Sequence, residues 1–409
     1  MNETALLDIF HATLARCSPA RLTRSRLSGE ELNSLGGLEV DLVAVGKCAA
    51  GLIDGASSML KTGRIFIAVP SGYVASISND PGAEVVEGSH PELSESSFRA
   101  GERLIAFVES ANRPIVFLIS GGSSACVEVP LRPWFEEADL IAANHALLRS
   151  GLPISAINLV RRHLSAIKGG RLGALAPPGS VTMIYSDVSP GRASDVGSGP
   201  TLPDASTNEQ AARVLRSLDD SLCTAIADRL SSSAEPPRGS NASRVVLIAD
   251  NTTLLAAAAK EAGHLGLETG IMEDELEDDV SVAVQRLVAR LEATSPRRLL
   301  IAGGEPTVVV RGVGTGGRCS ELALRFALAC EESGLKASAL FAGSDGLDGN
   351  TDAAGIVVSC EGRDSLDRAS IENALANSDS FPLARHLGSE VLSGPTGNNL
   401  RDLYLMARN

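Results

Sequence analysis

The stretch LEVDLVAVGKCAAG, Leu38 to Gly51, decides the fold. Its apolar run, 38–46, stops at Gly46 and passes into small and apolar residues that read as a helix over 48–60. A short apolar run closed by a turn residue, with a helix behind it, opens a βαβ unit. The pattern recurs: RIFIAV (64–69), PIVFLIS (114–120) and VTMIYSD (181–187) read as buried strands, with helices over 93–111 and 135–150 between them. Strands that are apolar throughout, without alternation, have both faces covered. The fold class is therefore α/β, and residues 1–236 are expected to form a Rossmann-like, doubly wound parallel sheet.

SSSAEPPRGSNAS (231–243) reads as a linker from its Ser, Pro and Gly content. Beyond it, residues 244–409 predict a smaller C-terminal α/β domain: strand 244–250, helix 252–265, an acidic helix 276–292, strand 297–303, helix 318–333 and strands 337–343 and 355–359. TVVVRG (307–312) follows strand 297–303 so closely that an antiparallel hairpin, and hence a mixed sheet, is expected. The acidic run EDELEDD (273–279) is read as a solvated helix start favoured by the helix dipole, with metal binding as the alternative.

Hydrophobic residues make up 44% and aromatics only 3%, so the core must be built from Ala, Val, Leu and Ile. The net charge of −14 repels phosphate backbones and anionic lipid, so neither nucleic acid nor a membrane is expected as a partner. A small anionic substrate would need a local basic pocket. The seven cysteines include no CxxC pair and suggest neither a disulfide framework nor a zinc site. MNETALLDIFHATLARC lacks the basic and long apolar regions of a signal peptide, and a cytoplasmic protein is expected, as monomer or homodimer.

Several loops carry candidate chemistry. AVGKCAAG places Gly46 and Lys47 between a strand and a helix, where an ammonium joins the free N–H groups of a helix start. It is not a P-loop, because Asp41 and Cys48 stand where that motif needs glycine and a hydroxyl. LISGGSSAC (118–126) offers the backbone of Gly121 and Gly122 and the hydroxyls of Ser120, Ser123 and Ser124 to an anion. NLVRRHLSAIKGGR (158–171) reads as a helix bearing Arg161, Arg162 and Lys168 and ending at Gly169–Gly170, and its His163 reads as structural. Asp187, Asp250 and Asp345 fall at strand C-termini, where ligands sit in open α/β sheets. GSDGLDGNTDAAG (343–355) adds Asp348 and Asp352, but Ile356 stands where a calcium loop needs glutamate, so a loop orienting a hydroxyl or a hydrated magnesium ion fits better.

GVGTGGRCSELAL (312–324) satisfies GxGxxG, so an NAD(P)-dependent oxidoreductase has to be weighed. The motif lies late in the chain, follows an expected hairpin and has no carboxylate about 20 residues on; Asp345 is 28 beyond Gly317. What remains is a glycine loop delivering Arg318 to a helix start, where a guanidinium can grip phosphate oxygens in pairs.

Taken in order, AVGKCAAG, GSHP, SGGSSA, INLVRRHLSAIKGGRL, SDV…SGPTLPD, GGEPTVVVRGVGTGGR, DGLDGNTDAAG and GPTGNNLRDL resemble the class II glycerate kinases, the glycerate 2-kinase family, from about residue 5 to 406. The resemblance implies two α/β domains with a cleft, ATP and Mg2+, and phosphoryl transfer to the 2-hydroxyl of D-glycerate. It makes Lys47 and Arg318 the leading catalytic pair, with Asp187 or Asp345 orienting the hydroxyl or meeting the metal through water. Ser120, Gly121, Gly122, Ser123, Ser124, His90, Arg161 and Lys168 become the substrate and phosphate environment. Gly304, Glu305, Gly314, Gly316, Gly317, Asp345, Asp348, Asp352 and Asn398 become the nucleotide-side loops. The chain departs from the family pattern in three places. Gly191 and Arg192 replace an acidic pair, SHPELS lacks an aspartate, and Cys319 and Ser320 replace Asn-Gln after the late arginine. These changes alter the charge of the pocket and leave open D-glycerate or a related small hydroxy acid. A non-catalytic α/β metabolite-binding protein is the alternative reading.

Overall fold

The computed structural model describes residues 2–29, 35, 37–73, 82–242, 244–296, 298–360 and 367–409. Ser243 and Arg297, at the ends of the expected linker and of the expected strand 297–303, lie outside them. The chain forms two compact units, Pro19–Ile248 and Met1–Ser18 with Ala249–Asn409. No helix among the described residues is long and apolar enough to cross a membrane.

The first unit is built on a six-stranded sheet in the order β3-β2-β1-β4-β5-β6. Its strands are β1 (Glu39–Val45), β2 (Lys61–Pro70), β3 (Ala83–Gly88), β4 (Ile115–Ser120), β5 (Val181–Tyr185) and β6 (Arg244–Ala249). β1 pairs parallel with both β2 and β4, as do β2 with β3 and β4 with β5. β4 and β5 are buried along their whole length, the reason they read as unbroken apolar runs. The order reverses between β1 and β4, which opens a crevice past their C-terminal ends. The helices Ala49–Ser57, Glu95–Glu109 and Glu137–Arg149 fall inside the expected ranges.

The segment expected to be a linker is tied to this unit. Arg171 donates to the carbonyls of Ala234 and Glu235, and Asn241 to those of Ala174 and Ala176, while Ala242 is fully buried. β6, assigned from sequence to the second domain, completes the first sheet. A Ser/Pro-rich composition signals irregular backbone, but it does not tell whether its carbonyls find partners.

The second unit carries a mixed sheet in the order β11-β10-β9-β12-β8-β7. Its strands are β7 (Glu268–Ile271), β8 (Arg298–Gly304), β9 (Ala337–Gly343), β10 (Gly355–Ser359), β11 (Gly388–Val391) and β12 (Asp402–Arg408). β7 and β8 are parallel, and the other described pairs are antiparallel. The expected hairpin is absent: β12 takes the place beside β8, and Val309 and Val310 of the supposed partner are exposed. The acidic helix begins at Val280, capped by Asp279; of the run before it Glu273, Asp274, Glu277 and Asp278 are exposed, while Glu275 is half-buried, and Glu275 and Glu277 both accept hydrogen bonds from the buried Arg401.

The helix Glu3–Arg16 belongs to this second unit, where it packs on the helix Asn251–His264. It buries Leu6, Ile9 and Phe10 almost completely. Phe10→Ala is expected to cost about 3–5 kcal/mol through the cavity it leaves. The check is the urea unfolding midpoint, and a midpoint equal to the parent's would contradict this placement of the helix.

Candidate active site

The site in the unit Pro19–Ile248 begins where β1 leaves its sheet. Gly46 has φ +113, and a Cβ there would lie 2.5 Å from Ser120 Oγ and 2.6 Å from the Gly121 carbonyl oxygen. Only glycine fits that turn. The Lys47 N–H donates to the Gly121 carbonyl at 2.9 Å, and the Cys48 N–H donates to Ser120 Oγ at 3.1 Å. The loops after β1 and β4 are thus laced together across the point of strand reversal. At Gly122, φ +81, an added Cβ would meet Lys47 Cγ at 3.1 Å, Pro70 Cγ at 3.3 Å and His90 Cδ2 at 3.5 Å. Lys47, His90 and the 120–124 loop therefore converge on one bare stretch of backbone.

Two charges and a histidine share this corner. Burial, then the charges of Lys47 and Arg161, push the His90 pKa down to about 4, so its imidazole is neutral near pH 7. Arg161 is fixed by Nε and Nη2, both donating to Asn144 Oδ1 at 3.1 and 2.6 Å. Ser124 Oγ lies 2.9 Å from Ser198 Oγ, whose hydroxyl donates to Asn158 Oδ1 at 3.0 Å. Ser123 Oγ is buried with no hydrogen-bond partner. Asp187 lies half-buried just past β5.

Lys168 is near enough to feel the charge of Arg161, but its ammonium is committed to an ion pair. The helix expected to carry it ends at Leu164, and Lys168 lies beyond, 1% exposed, with its ammonium donating to Glu128, itself 3% exposed. Burial pulls the lysine pKa down, opposed by the Glu128 charge and hydrogen bond. Ser165 Oγ donates to the other Glu128 oxygen at 2.5 Å. His163 is fully buried between Asn208 Oδ1, 2.6 Å from Nδ1, and Ser206 Oγ, 2.9 Å from Nε2. Arg192, the departure that adds charge, is engaged by Asp195, which also holds Arg162.

In the second unit, β8 and β9 end at Gly304 and Gly343, and β12 starts between them at Asp402. The helix Arg318–Ser333 opens beside them. Asp348, 1% exposed, accepts the N–H groups of Cys319 at 2.9 Å and Ser320 at 2.8 Å, so a side chain of the protein occupies the anion position at this helix start. Burial raises the Asp348 pKa, and the two backbone donors oppose the rise. The glycines of the GxGxxG match, Gly312, Gly314 and Gly317, are required by packing: Cβ atoms there would come within 2.4 Å of Asn377, Asp379 and Asp348, and one at the neighbouring Gly316 within 2.2 Å of Ser380. That accounts for the motif without a dinucleotide.

Arg318 makes a paired contact with Asp402, Nε to Oδ2 at 2.6 Å and Nη2 to Oδ1 at 2.8 Å, and its Nη1 lies 3.2 Å from Glu305 Oε1. Burial opposes its charge, but Asp402 outweighs burial and keeps the guanidinium protonated. Arg318, Glu305 and Arg401 line a cavity of about 610 Å³ with Pro306, Val308, Val310, Gly314, Gly316 and Gly317. Asp345 lies half-buried past β9, Asp352 is exposed, and Asn398 is buried in the loop before β12. Asp402, Arg401, Glu128 and Asn158 were not singled out by sequence reasoning. The first two fall inside GPTGNNLRDL, the one signal that pointed toward them. Among the described residues no three His, Cys, Asp or Glu side chains cluster as metal ligands.

These features define a class: a two-unit α/β protein with a glycine- and serine-rich loop at a strand-order reversal in one unit and an arginine-lined cavity in the other. Residues 5–231 match the family described as "Domain of unknown function (DUF4147)", and residues 298–402 match the MOFRL family. The chain is similar to the D-glycerate 2-kinase of Thermotoga maritima, 32% identical over 98% of this chain and 96% of the relative. An Agrobacterium vitis protein provisionally named a hydroxypyruvate reductase is 35% identical over 82% of this chain and 78% of its own. The crystal structure of glycerate kinase from Thermotoga maritima superposes with a TM-score of 0.84 at 28% identity, covering 99% of both chains. The chain belongs to the glycerate kinase family.

Two predictions follow from the buried charges. Lys168→Ala leaves the Glu128 carboxylate buried without its cation and is expected to cost about 3–5 kcal/mol, and Lys168→Met with Glu128→Gln less; denaturant midpoints of both check this. For His90, the folded pKa of about 4 lies below the ordinary 6.5. The unfolded chain takes up the proton first, so this part of the stability is present above pH 6.5 and is lost as pH falls toward 4. His90→Asn is expected to lose less stability than the parent between those two pH values, and equal losses by urea titration would contradict a lowered imidazole pKa.

Proposed function

We propose that this chain is an ATP-dependent kinase that transfers the terminal phosphoryl group of ATP to the 2-hydroxyl of D-glycerate or a closely related small hydroxy acid, in the cytoplasm. The observation that carries this reading is the convergence of Lys47 and His90 on the bare backbone of Gly122 at the strand reversal. Phosphoryl transfer asks a protein for positioning and for charge neutralisation at the migrating group, and needs no covalent participation. In this reading Lys47 meets phosphoryl oxygens, the 120–124 loop and Arg161 hold the carboxylate of the acceptor, and Asp187 orients its hydroxyl. Neutral His90 accepts or donates a hydrogen bond without repelling Lys47. Arg318 supplies the second cation. The cavity beside it, with Val308 and Val310 as apolar wall, suits the nucleotide. Mg2+ arrives as part of the nucleotide complex, held by phosphates and water with at most one or two carboxylates; Asp187 and Asp345 are the candidates. Pairing of Arg192 with Asp195 offsets the charge that this departure from the family pattern adds.

The relative with a reductase name keeps an oxidoreductase reading in view, but the packing role of the glycines at 314–317 leaves it without a site. Coupled assays decide between the two. ADP formation that depends on D-glycerate is expected, and consumption of NAD(P)H with hydroxypyruvate is not. Lys47→Met and Arg318→Ala are each expected to lower kcat/KM by roughly 10²-fold or more, the scale of losing one transition-state charge partner. Near-parental activity in either would remove that residue from the mechanism.

A further inference from the structure

Arg318 is held by more than its own helix. Both oxygens of Asp402 accept from one edge of the guanidinium, Nε–H at 2.6 Å and Nη2–H at 2.8 Å. The Tyr404 hydroxyl donates to the same Oδ2 at 2.8 Å. Asp402 and Tyr404 are both wholly buried. Two residues apart on β12, they point to one face of the sheet. The Tyr404 ring packs on Phe341 with centroids 5.6 Å apart, and Phe341 lies 5.4 Å from Phe326 on the helix that Arg318 begins. Gly304 and Gly343 stand opposite Asp402 on the neighbouring strands, so neither neighbour places a side chain against the carboxylate. The arginine keeps one edge outside this clamp. Nη1 lies 3.2 Å from the half-exposed Glu305, and both residues line the cavity.

A long, rotamer-rich side chain that must be ordered on binding weakens that binding, and a cation misplaced by about 1 Å can cost 10²-fold in rate. We propose that Asp402 and Tyr404 are positioning residues for phosphoryl transfer: the carboxylate grips the inner edge of Arg318, the phenol locks the carboxylate, and the Nη1 edge is left aimed into the cavity to meet a phosphoryl oxygen in place of Glu305. The proposal rests on the reading of Arg318 as a transition-state cation. A structural ion pair would account for a loss of stability on breaking it, but not for a loss that runs through Arg318.

The test measures kcat, KM and thermal midpoint for Asp402→Asn, Tyr404→Phe, Arg318→Ala and the double variants. Asp402→Asn keeps the shape but gives up one acceptor, and is expected to lower kcat by about 10- to 100-fold with a smaller change in KM. Tyr404→Phe removes a single hydroxyl, keeps a folded chain within reach if Asp402→Asn does not fold, and is expected to lower kcat less. Neither change should lower kcat further once Arg318 is already alanine. Added guanidinium ion should partly restore Arg318→Ala where Asp402 is intact and fail to do so in Arg318→Ala with Asp402→Asn. Full kcat in both single variants, additive losses, or equal rescue with and without Asp402 would overturn the positioning role. Near-parental kcat/KM in Arg318→Ala would instead overturn the catalytic reading on which it rests, so the two failures are told apart.

Discussion

The crossing of two backbones at Gly46 and Ser120 is the constraint on which the first unit's chemistry depends. A parallel sheet whose strand order reverses leaves a gap between two neighbouring strands, and the loops leaving those strands must diverge. Here they are drawn together again. Lys47 donates its N–H to Gly121, Cys48 donates to Ser120 Oγ, and there is no room for a Cβ at Gly46. Because both donors are main-chain N–H groups, the backbone at Lys47 is fixed by the loop after β4, which brings its side chain to Gly122. A neutral His90 then completes the corner at no electrostatic cost to the lysine.

The second unit reaches a comparable end by other means. Its helix start, which electrostatics would offer to a phosphate, is taken by the Asp348 carboxylate. Its arginines are surrounded by acids: Asp402 and Glu305 for Arg318, and Glu275, Glu277 and Glu305 for Arg401. Such a pocket does not attract a bare anion strongly. It suits an anion that arrives with its own divalent cation, and it gains geometric definition from the same pairs that lower its net charge.

Much of the first sheet was legible because strands covered on both faces read as continuous apolar runs, as β4 and β5 do. β12 was not assignable to its place beside β8, since nothing local in DLYLMAR announces a partner about a hundred residues earlier. TVVVRG carried a strand composition, yet its valines form the exposed rim and wall of a cavity. At the site, Lys47 and Arg318 stood out because glycine surrounds them in the sequence. Lys168 shared that signal for a different reason: Gly170 has φ +84, and a Cβ there would come to 2.8 Å from the carbonyl oxygen of Leu202. Asp402 lay inside GPTGNNLRDL, but nothing in that stretch singled it out, since its meaning comes from an arginine far away in the chain.

The helix Glu3–Arg16 completes a unit whose remainder begins only at Ala249. During translation it is made before Pro19–Ile248, and its partner helix follows only after that unit is complete. At roughly 5–20 residues per second this leaves a segment bearing Leu6, Ile9 and Phe10 waiting for tens of seconds. The sheet of the first unit can assemble while the ribosome is still working. The second unit cannot begin until the chain beyond Ala249 is made, and until then the apolar face of this helix has no partner.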